Sequence, residues 1–224
     1  MSYDKLYFWF SRKDKRLRYG DERLAKIGIT HSVKGELQLC HNGLHASEKI
    51  IDALELATGS YLWLVSLSDE KIVDKNKVCA RSRTYRAEFN ADKMIRNFTR
   101  KQALINVELI KPFCTPRQYD LTVEWLQAGR KELRLNAKKI SHRITSLKEL
   151  TKKPTLAYSA AYSICCTTVD KDLNIDRFLW AHSRAKGRLT LSNEDHAQAN
   201  KMLMDMLPNR IKAILEQHKQ GEQL

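Results

Sequence analysis

The chain has 224 residues and a mass of 26.0 kDa, enough for one large domain or two small ones, each with a hydrophobic core. Hydrophobic residues make up 42% and charged residues 29%, which excludes a fibrous repeat and wholesale disorder, and no apolar run reaches the length of a membrane-spanning helix. The formal net charge of +14 points to a polyanionic partner, because each neutralised phosphate releases condensed counterions.

The opening segment MSYDKLYFWFSRKDK lacks the basic region, apolar core and small-residue cleavage site of a secretory signal, so an intracellular protein is expected. Residues 7–10 (YFWF), 23–30 (RLAKIGIT) and 36–40 (ELQLC) read as short strands, punctuated by Gly20, Gly28 and Gly35. Aromatic residues at this density in a strand usually build a core, although Tyr7, Phe8, Trp9, Phe10, Tyr61 and Trp63 also have the faces to stack bases. The stretch that follows Cys40 ends at Ser47, which is placed to cap a short helix bearing Ile50, Ile51 and Leu54, with Gly59 beyond its end. Residues 61–67 (YLWLVSL) predict a buried strand and residues 77–89 a longer, more exposed one.

From Asn90, a prospective N-cap, the apolar period becomes helical through Met94, Ile95, Phe98 and Leu104. Further helices are expected over 119–126, over 155–167, where Cys165 and Cys166 act as small hydrophobes, and from a near capping box at Ser192 and Asp195. Pro208 should kink or divide the last of these. The fold class is therefore α+β: a β-rich unit with one short helix over residues 1–90, then a mainly helical, basic region over 91–224.

The charge is unevenly spread. Residues 1–70 carry 10 basic and 10 acidic side chains, whereas residues 81–101 carry 7 against 2 and residues 130–153 carry 9 against 2. Arg81 and Arg83 have the spacing of one strand face, with Arg86 nearby, and Lys93, Arg96 and Arg100 that of one helical stripe. Lys138, Lys139 and Arg143 belong to a basic amphipathic helix. These nine residues are the candidate nucleic-acid contacts.

The segment from Cys40 to Ser47 (CHNGLHAS) concentrates reactive side chains in one turn. Cys40, His41 and His45 are suitable metal-ligand types but lack a fourth ligand at standard spacing, so no metal is expected. The amides that open the following helix suit an anion. His45 and Ser47, with Glu88, are the candidate catalytic groups. The five cysteines are odd in number and lack a CxxC pair, which argues for reduced thiols. No Walker loop, G-x-G-x-x-G or H-E-x-x-H occurs, and no cofactor is expected.

The residues LRYGD (17–21), G-x-T (28–30), LC-x-x-GLHAS (39–47) and DAL (52–54) together resemble an uncharacterised domain family of phage and prophage proteins, over roughly residues 5–90. The resemblance implies a phage or mobile-element origin and a host-cytoplasm setting, carries no activity, and leaves residues 91–224 unexplained. The order of strand, L-H-x-S turn, short helix and buried strand is also similar to the middle of ADP-ribosyltransferase-type folds. On that likeness His45 and Ser47 line a pocket, Arg16 or Arg18 contacts a pyrophosphate and Glu88 is the acid.

The expected function is that of a phage-derived nucleic-acid-binding protein. The alternatives are a transferase of ADP-ribosyltransferase-like type, or an inhibitor of a host defence or nucleic-acid-processing protein. The partners expected are DNA or RNA, with a host protein as the other candidate, and no membrane.

Overall fold

Every residue of β1 (Leu6–Ser11) is buried, so this strand must be covered on both faces. It pairs antiparallel with β4 (Tyr61–Leu67), in the register Tyr7↔Val65, Phe8↔Leu64 and Trp9↔Trp63. The other edge of β4 pairs with β7 (Ser82–Asn90), and β7 with the short β2 (Thr30–Ser32), which gives a sheet of order β1-β4-β7-β2. β3 (Leu44–Ala46), β6 (Val78–Ala80) and β5 (Lys71–Val73) make a second antiparallel sheet, of order β3-β6-β5. This computed structural model describes residues 5–17, 21–68, 70–147, 155–169, 175–188 and 190–221.

The two sheets share one core. Tyr7, Trp9, Trp63, Val65 and Tyr85 from the first pack in a single buried cluster with Leu44, Ala46, Val78 and Ala80 from the second. Trp63 is wholly buried, and its indole N–H donates to Ser11 Oγ at 2.9 Å, so the ring is removed from water without orphaning its one donor. Side chains of an antiparallel ladder that stand opposite each other share a face, which puts Phe8, Phe10, Leu62 and Leu64 on the other side of the sheet. There α1 (Ile50–Glu55) packs on β1, and its Ile50, Ile51 and Leu54 have no exposure.

Leu64 stands opposite Ala87 but Val65 opposite Tyr85, so Arg86 is the extra residue of a β-bulge in β7. The bulge resets the alternation. Arg83 and Tyr85 before it and Glu88 after it all lie on the Trp9–Trp63 face, which strict alternation along the strand would forbid.

The predicted strands over 7–10 and 61–67 and the short helix are present, whereas two expected strands are not. Residues 23–29 make only an isolated Arg16↔Leu24 bridge, with ladder pairing from Thr30, because Gly28 at φ +84° turns the chain and leaves Leu24, Ile27 and Ile29 exposed. Residues 36–40 are a turn closed by a Gln38↔Asn42 bridge, with Cys40 left-handed at φ +68°. The single strand expected over 77–89 breaks at Arg81, where the chain leaves the second sheet for the first.

The chain divides into two compact units, Met1–Met94 with Ala199–Leu224, and Ile95–Gln198. The first therefore draws its closing segment from the far end of the sequence: Ile51 N–H donates to Asn200 Oδ1 at 3.4 Å, and Arg210 Nη2 to the Glu88 carbonyl at 3.5 Å. α2 (Asp92–Ile105) starts where Asn90 Oδ1 accepts the Asp92 N–H, in keeping with the expected cap, and α7 (Asn193–Asp205) and α8 (Asn209–Gly221) are divided at Pro208.

The second unit is helical. After a 3-10 helix (Val107–Phe113) come α3 (Pro116–Ala128), α4 (Lys131–Thr145), α5 (Leu156–Thr167) and α6 (Ile175–Ala185), with α3 on α4, α4 on α5 and α5 on α6. α3 opens on a full capping box, Thr115 with Gln118, and ends at Gly129 in the left-handed region. Trp125 donates to Thr167 Oγ1 at 3.0 Å inside this core. His182 is also buried there, stacked on Phe178, and its Nδ1 lies 3.2 Å from Asn106 Nδ2. Ser192 Oγ accepts the Asp195 N–H at 3.1 Å, so the capping box read at the start of α7 is formed. No described helix is long and apolar enough to cross a membrane.

Candidate functional site

In the first unit, the outer edge of β1 carries the site. Phe8 and Ser47 exchange backbone hydrogen bonds at 2.8 and 2.9 Å, which stitches the end of β3 to the first sheet and shapes a cavity of about 300 Å3 beside the CHNGLHAS turn. Ser47 is thus a bridge residue, and the expectation that it caps α1 is corrected: the N-cap is Lys49, without a side-chain cap bond. The anion site expected at that helix is also absent from its geometry. α1 has only six residues, Asp52 stands in its first turn, and the Ile51 amide is taken by Asn200.

Gly43 lets the turn lie this close. It has φ +150°, and a Cβ built there would sit 2.0 Å from Cys79 Sγ. Asn42 fixes the approach from the other side by donating to the Lys34 and Glu36 carbonyls, both at 2.8 Å. His45 Nε2 accepts the Cys40 N–H at 3.2 Å, and the Cys40 thiol takes the Lys77 ammonium at 2.8 Å. With those groups so engaged, and the Cys79 thiol directed at the Asn42 carbonyl at 3.6 Å, Cys40, His41, His45 and Cys79 do not converge as ligands.

Arg83 is the main correction to the expected phosphate contacts. Its side chain is buried, at 3% exposure, instead of facing outward beside Arg81. The guanidinium lies 3.9 Å from the Trp9 ring centre and 5.2 Å from that of Tyr85. Nη1 donates to the His45 carbonyl at 2.6 Å and Nη2 to Tyr85 Oη at 3.0 Å. Aromatic faces attract a desolvated guanidinium, and the two bonds fix its plane, so the cation is held in one orientation at the cavity wall. Tyr85 Oη also meets His31 Nδ1 at 3.1 Å. Burial, then the nearby Arg23 and Arg83 charges, lower the His31 pKa, with Asp21 opposing them.

The charged lining is asymmetric. Arg83 and Lys77 stand against Asp21, whose carboxylate is gripped by Arg23 through Nε at 3.0 and 3.1 Å and Nη2 at 2.6 Å. That hydrogen bonding holds the Asp21 pKa below the ordinary carboxylate value despite the opposing effect of burial. With Asp21 neutralised from behind, the cavity presents a net positive wall next to Phe8, Trp9 and Phe10.

The remaining candidates are dispersed. His45 and Ser47 line the cavity, whereas Glu88 does not: it binds Lys15 Nζ at 2.6 Å, above the Trp63 ring, and its other oxygen is buried with no hydrogen-bond partner among the described residues. Arg16 pairs with Glu22, and Arg18 lies outside the described residues. Arg81 is bound to Glu70, its Nε 2.9 Å from Oε2, and to the Val33 carbonyl at 3.3 Å. Arg86 is exposed and donates to Ser66 Oγ at 2.9 Å.

The expected stripe on α2 is not an open phosphate track either. Lys93 is exposed, but Arg96 is half-buried and donates to the Val169 carbonyl at 2.7 Å. Arg100 is half-buried against the Trp125 ring and Gly129, and burial, with Arg96 beside it, lowers its pKa. α4 does present a basic outer face: Lys131, Lys138, Lys139 and Arg143 are exposed opposite the buried Leu133, Ala137, Ile140 and Ile144, although Arg143 Nη2 is engaged by the Phe113 carbonyl at 2.6 Å and Gln118 Oε1 at 3.1 Å. Residues 148–153 of that block lie outside the described residues.

Asp21 and Lys77 escaped sequence reading as site residues because they converge with Trp9, already noted as a ring able to stack, from three distant segments; the compact clue was Gly43 next to Asn42, which marks a close backbone approach. The chain matches no protein-family model, no curated protein and no solved structure.

Proposed function

We propose that the first unit is a nucleotide-binding module of a phage-derived protein that works in the host cytoplasm, with its ligand seated in the cavity beside Trp9 and Arg83. The observation that carries this reading is the pairing of an aromatic wall with two cations, Arg83 and Lys77, in a space of about 300 Å3 whose one carboxylate, Asp21, is neutralised by Arg23. A planar ring suits the first feature and a phosphate the second. The likeness to ADP-ribosyltransferase-type folds supports a transferase only as far as His45 and Ser47; Glu88 lies outside the cavity lining, so the proposal is limited to binding.

Titration calorimetry with nucleoside monophosphates and a dinucleotide, against the matching nucleosides, tests it. Phosphorylated ligands should bind and nucleosides should bind far more weakly, with Arg83→Met and Lys77→Met each reducing the difference. A folded protein that binds none of these ligands, or binds nucleoside and nucleotide alike, would refute the reading.

Nucleic-acid binding is the second reading, and α4 supports it: four exposed basic side chains on one helix, with Glu132 its one acid, are suited to a phosphate backbone. Its test is binding of DNA and RNA across a salt series, with Lys138→Glu and Lys139→Glu flattening the salt dependence. Salt-independent or absent binding would exclude it.

A further inference from the structure

α5 buries Ser159, Ala160, Ala161, Ser163 and Ile164, yet it carries two half-buried tyrosines, Tyr158 and Tyr162, one helical turn apart. Their rings are nearly parallel, at 19°, with centroids 6.2 Å apart. Trp180 of α6 meets Tyr162 edge-on at 6.4 Å and is 44% exposed, an unusual position for the largest apolar side chain in a chain with ample core to receive it. Arg177 and Arg184 lie three residues before and four after Trp180, so α6 places them on the same face, and Arg184 sits 5.5 Å from the Trp180 ring centre. Arg177, Trp180 and Tyr162 border one open depression.

An exposed indole with a guanidinium on either side of it along its helix, continued by two partly exposed tyrosine rings, matches the chemistry of unpaired bases on a phosphodiester chain: each base has a π-face to stack and each linkage a charge to neutralise. A duplex hides those faces. Asp176, in the same depression, opposes either polyanion alike, but an acidic peptide would leave the ring row unused. We propose that Tyr158, Tyr162 and Trp180, flanked by Arg177 and Arg184, form a stacking platform for single-stranded nucleic acid. The proposal rests on the nucleic-acid reading, names its strandedness, and is independent of the cavity in the first unit.

The protein supplies its own probe. Trp63 and Trp125 are 0% and 4% exposed, and Trp9, at 7%, is the one other indole that borders a proposed ligand cavity, so the part of the quenching that is lost in Trp180→Ala reports on Trp180. The full chain is titrated with a short oligothymidylate and with a duplex of equal length. The single strand should quench emission and bind more tightly. Trp180→Ala should weaken single-strand binding by about 5- to 150-fold, as expected for the loss of one stacked base, while Trp180→Phe keeps most of it. Because the side chain is exposed, both variants should melt like the parent.

If single strand and duplex bind equally and Trp180→Ala changes neither, the platform is overturned while the nucleic-acid reading, carried by Lys138 and Lys139, stands. If neither nucleic acid binds at low salt, both fall.

Discussion

His182 should make the second unit sensitive to mild acid. The imidazole is 1% exposed; burial, then the Lys186 charge, bring its pKa from 6.5 to about 4, and Asp195 offsets this only in part. With Nδ1 facing the Asn106 amide N–H, the proton of the neutral ring sits on Nε2, which is buried without a partner among the described residues. Protonation would thus place a full charge in a core that already leaves one N–H unsatisfied.

A folded pKa below the unfolded value means that the unfolded chain binds the extra proton. Stability is then fully present above pH 6.5 and falls with pH until about 4. At pH 5 the loss is about 2 kcal/mol. Asp195 does not obscure this window: its pKa is held below 3.8 because hydrogen bonds from Lys186 and Ser192 outweigh burial, so its contribution fades only under stronger acid.

Thermal melts at pH 7 and pH 5, followed by circular dichroism, measure the effect. The midpoint should drop by roughly 4 to 8 °C if the chain unfolds as a whole, and by about twice that if the second unit melts by itself. His182→Gln should remove most of the drop whatever its own stability. An unchanged difference between the two pH values in that variant would refute the assignment and move the titration to another group.

Two further outcomes follow from the packing of the turn and the burial of the thiols. Gly43→Ala should destabilise the first unit by about 1–3 kcal/mol through its clash with Cys79 Sγ, and adding Cys79→Ala should recover part of the loss; a denaturant midpoint equal to the parent's would show that the approach is not tight. Among the cysteines, exposed Cys40 should react first with a thiol reagent and well before Cys166, whose pKa burial pushes up to about 12, or the wholly buried Cys79. Mass spectrometry of time points gives the order, and equal rates at Cys40 and Cys166 would contradict it.

Elements whose residues decide locally were legible in the sequence. The aromatic runs of β1 and β4, the Thr155 and Ser192 helix starts and the break at Pro208 each follow from neighbours within a few positions. The Thr115-Pro116-Arg117-Gln118 capping box was equally local and extends α3 upstream of the expected start at residue 119. The site was less legible because its determinants are distant. Spacing along β7 predicted an outward Arg83, but Trp9, 74 positions away, supplies the surface that makes burial of this cation favourable. The bulge at Arg86 has no glycine to announce it, and without it Glu88 is assigned to the wrong face.

The discontinuity of the first unit sets an order on its maturation. On a ribosome adding about 5–20 residues per second, the strands that line the cavity emerge roughly 5 to 25 s before the segment after Ala199 that completes their unit. The closure that joins the two parts of the first unit waits for that segment and spans the whole of the intervening sequence, a cost that grows only slowly with loop length. A chain cut before residue 199 keeps the strands of the pocket but loses the segment that belongs to the same compact unit, so the two must be supplied together for that unit to form.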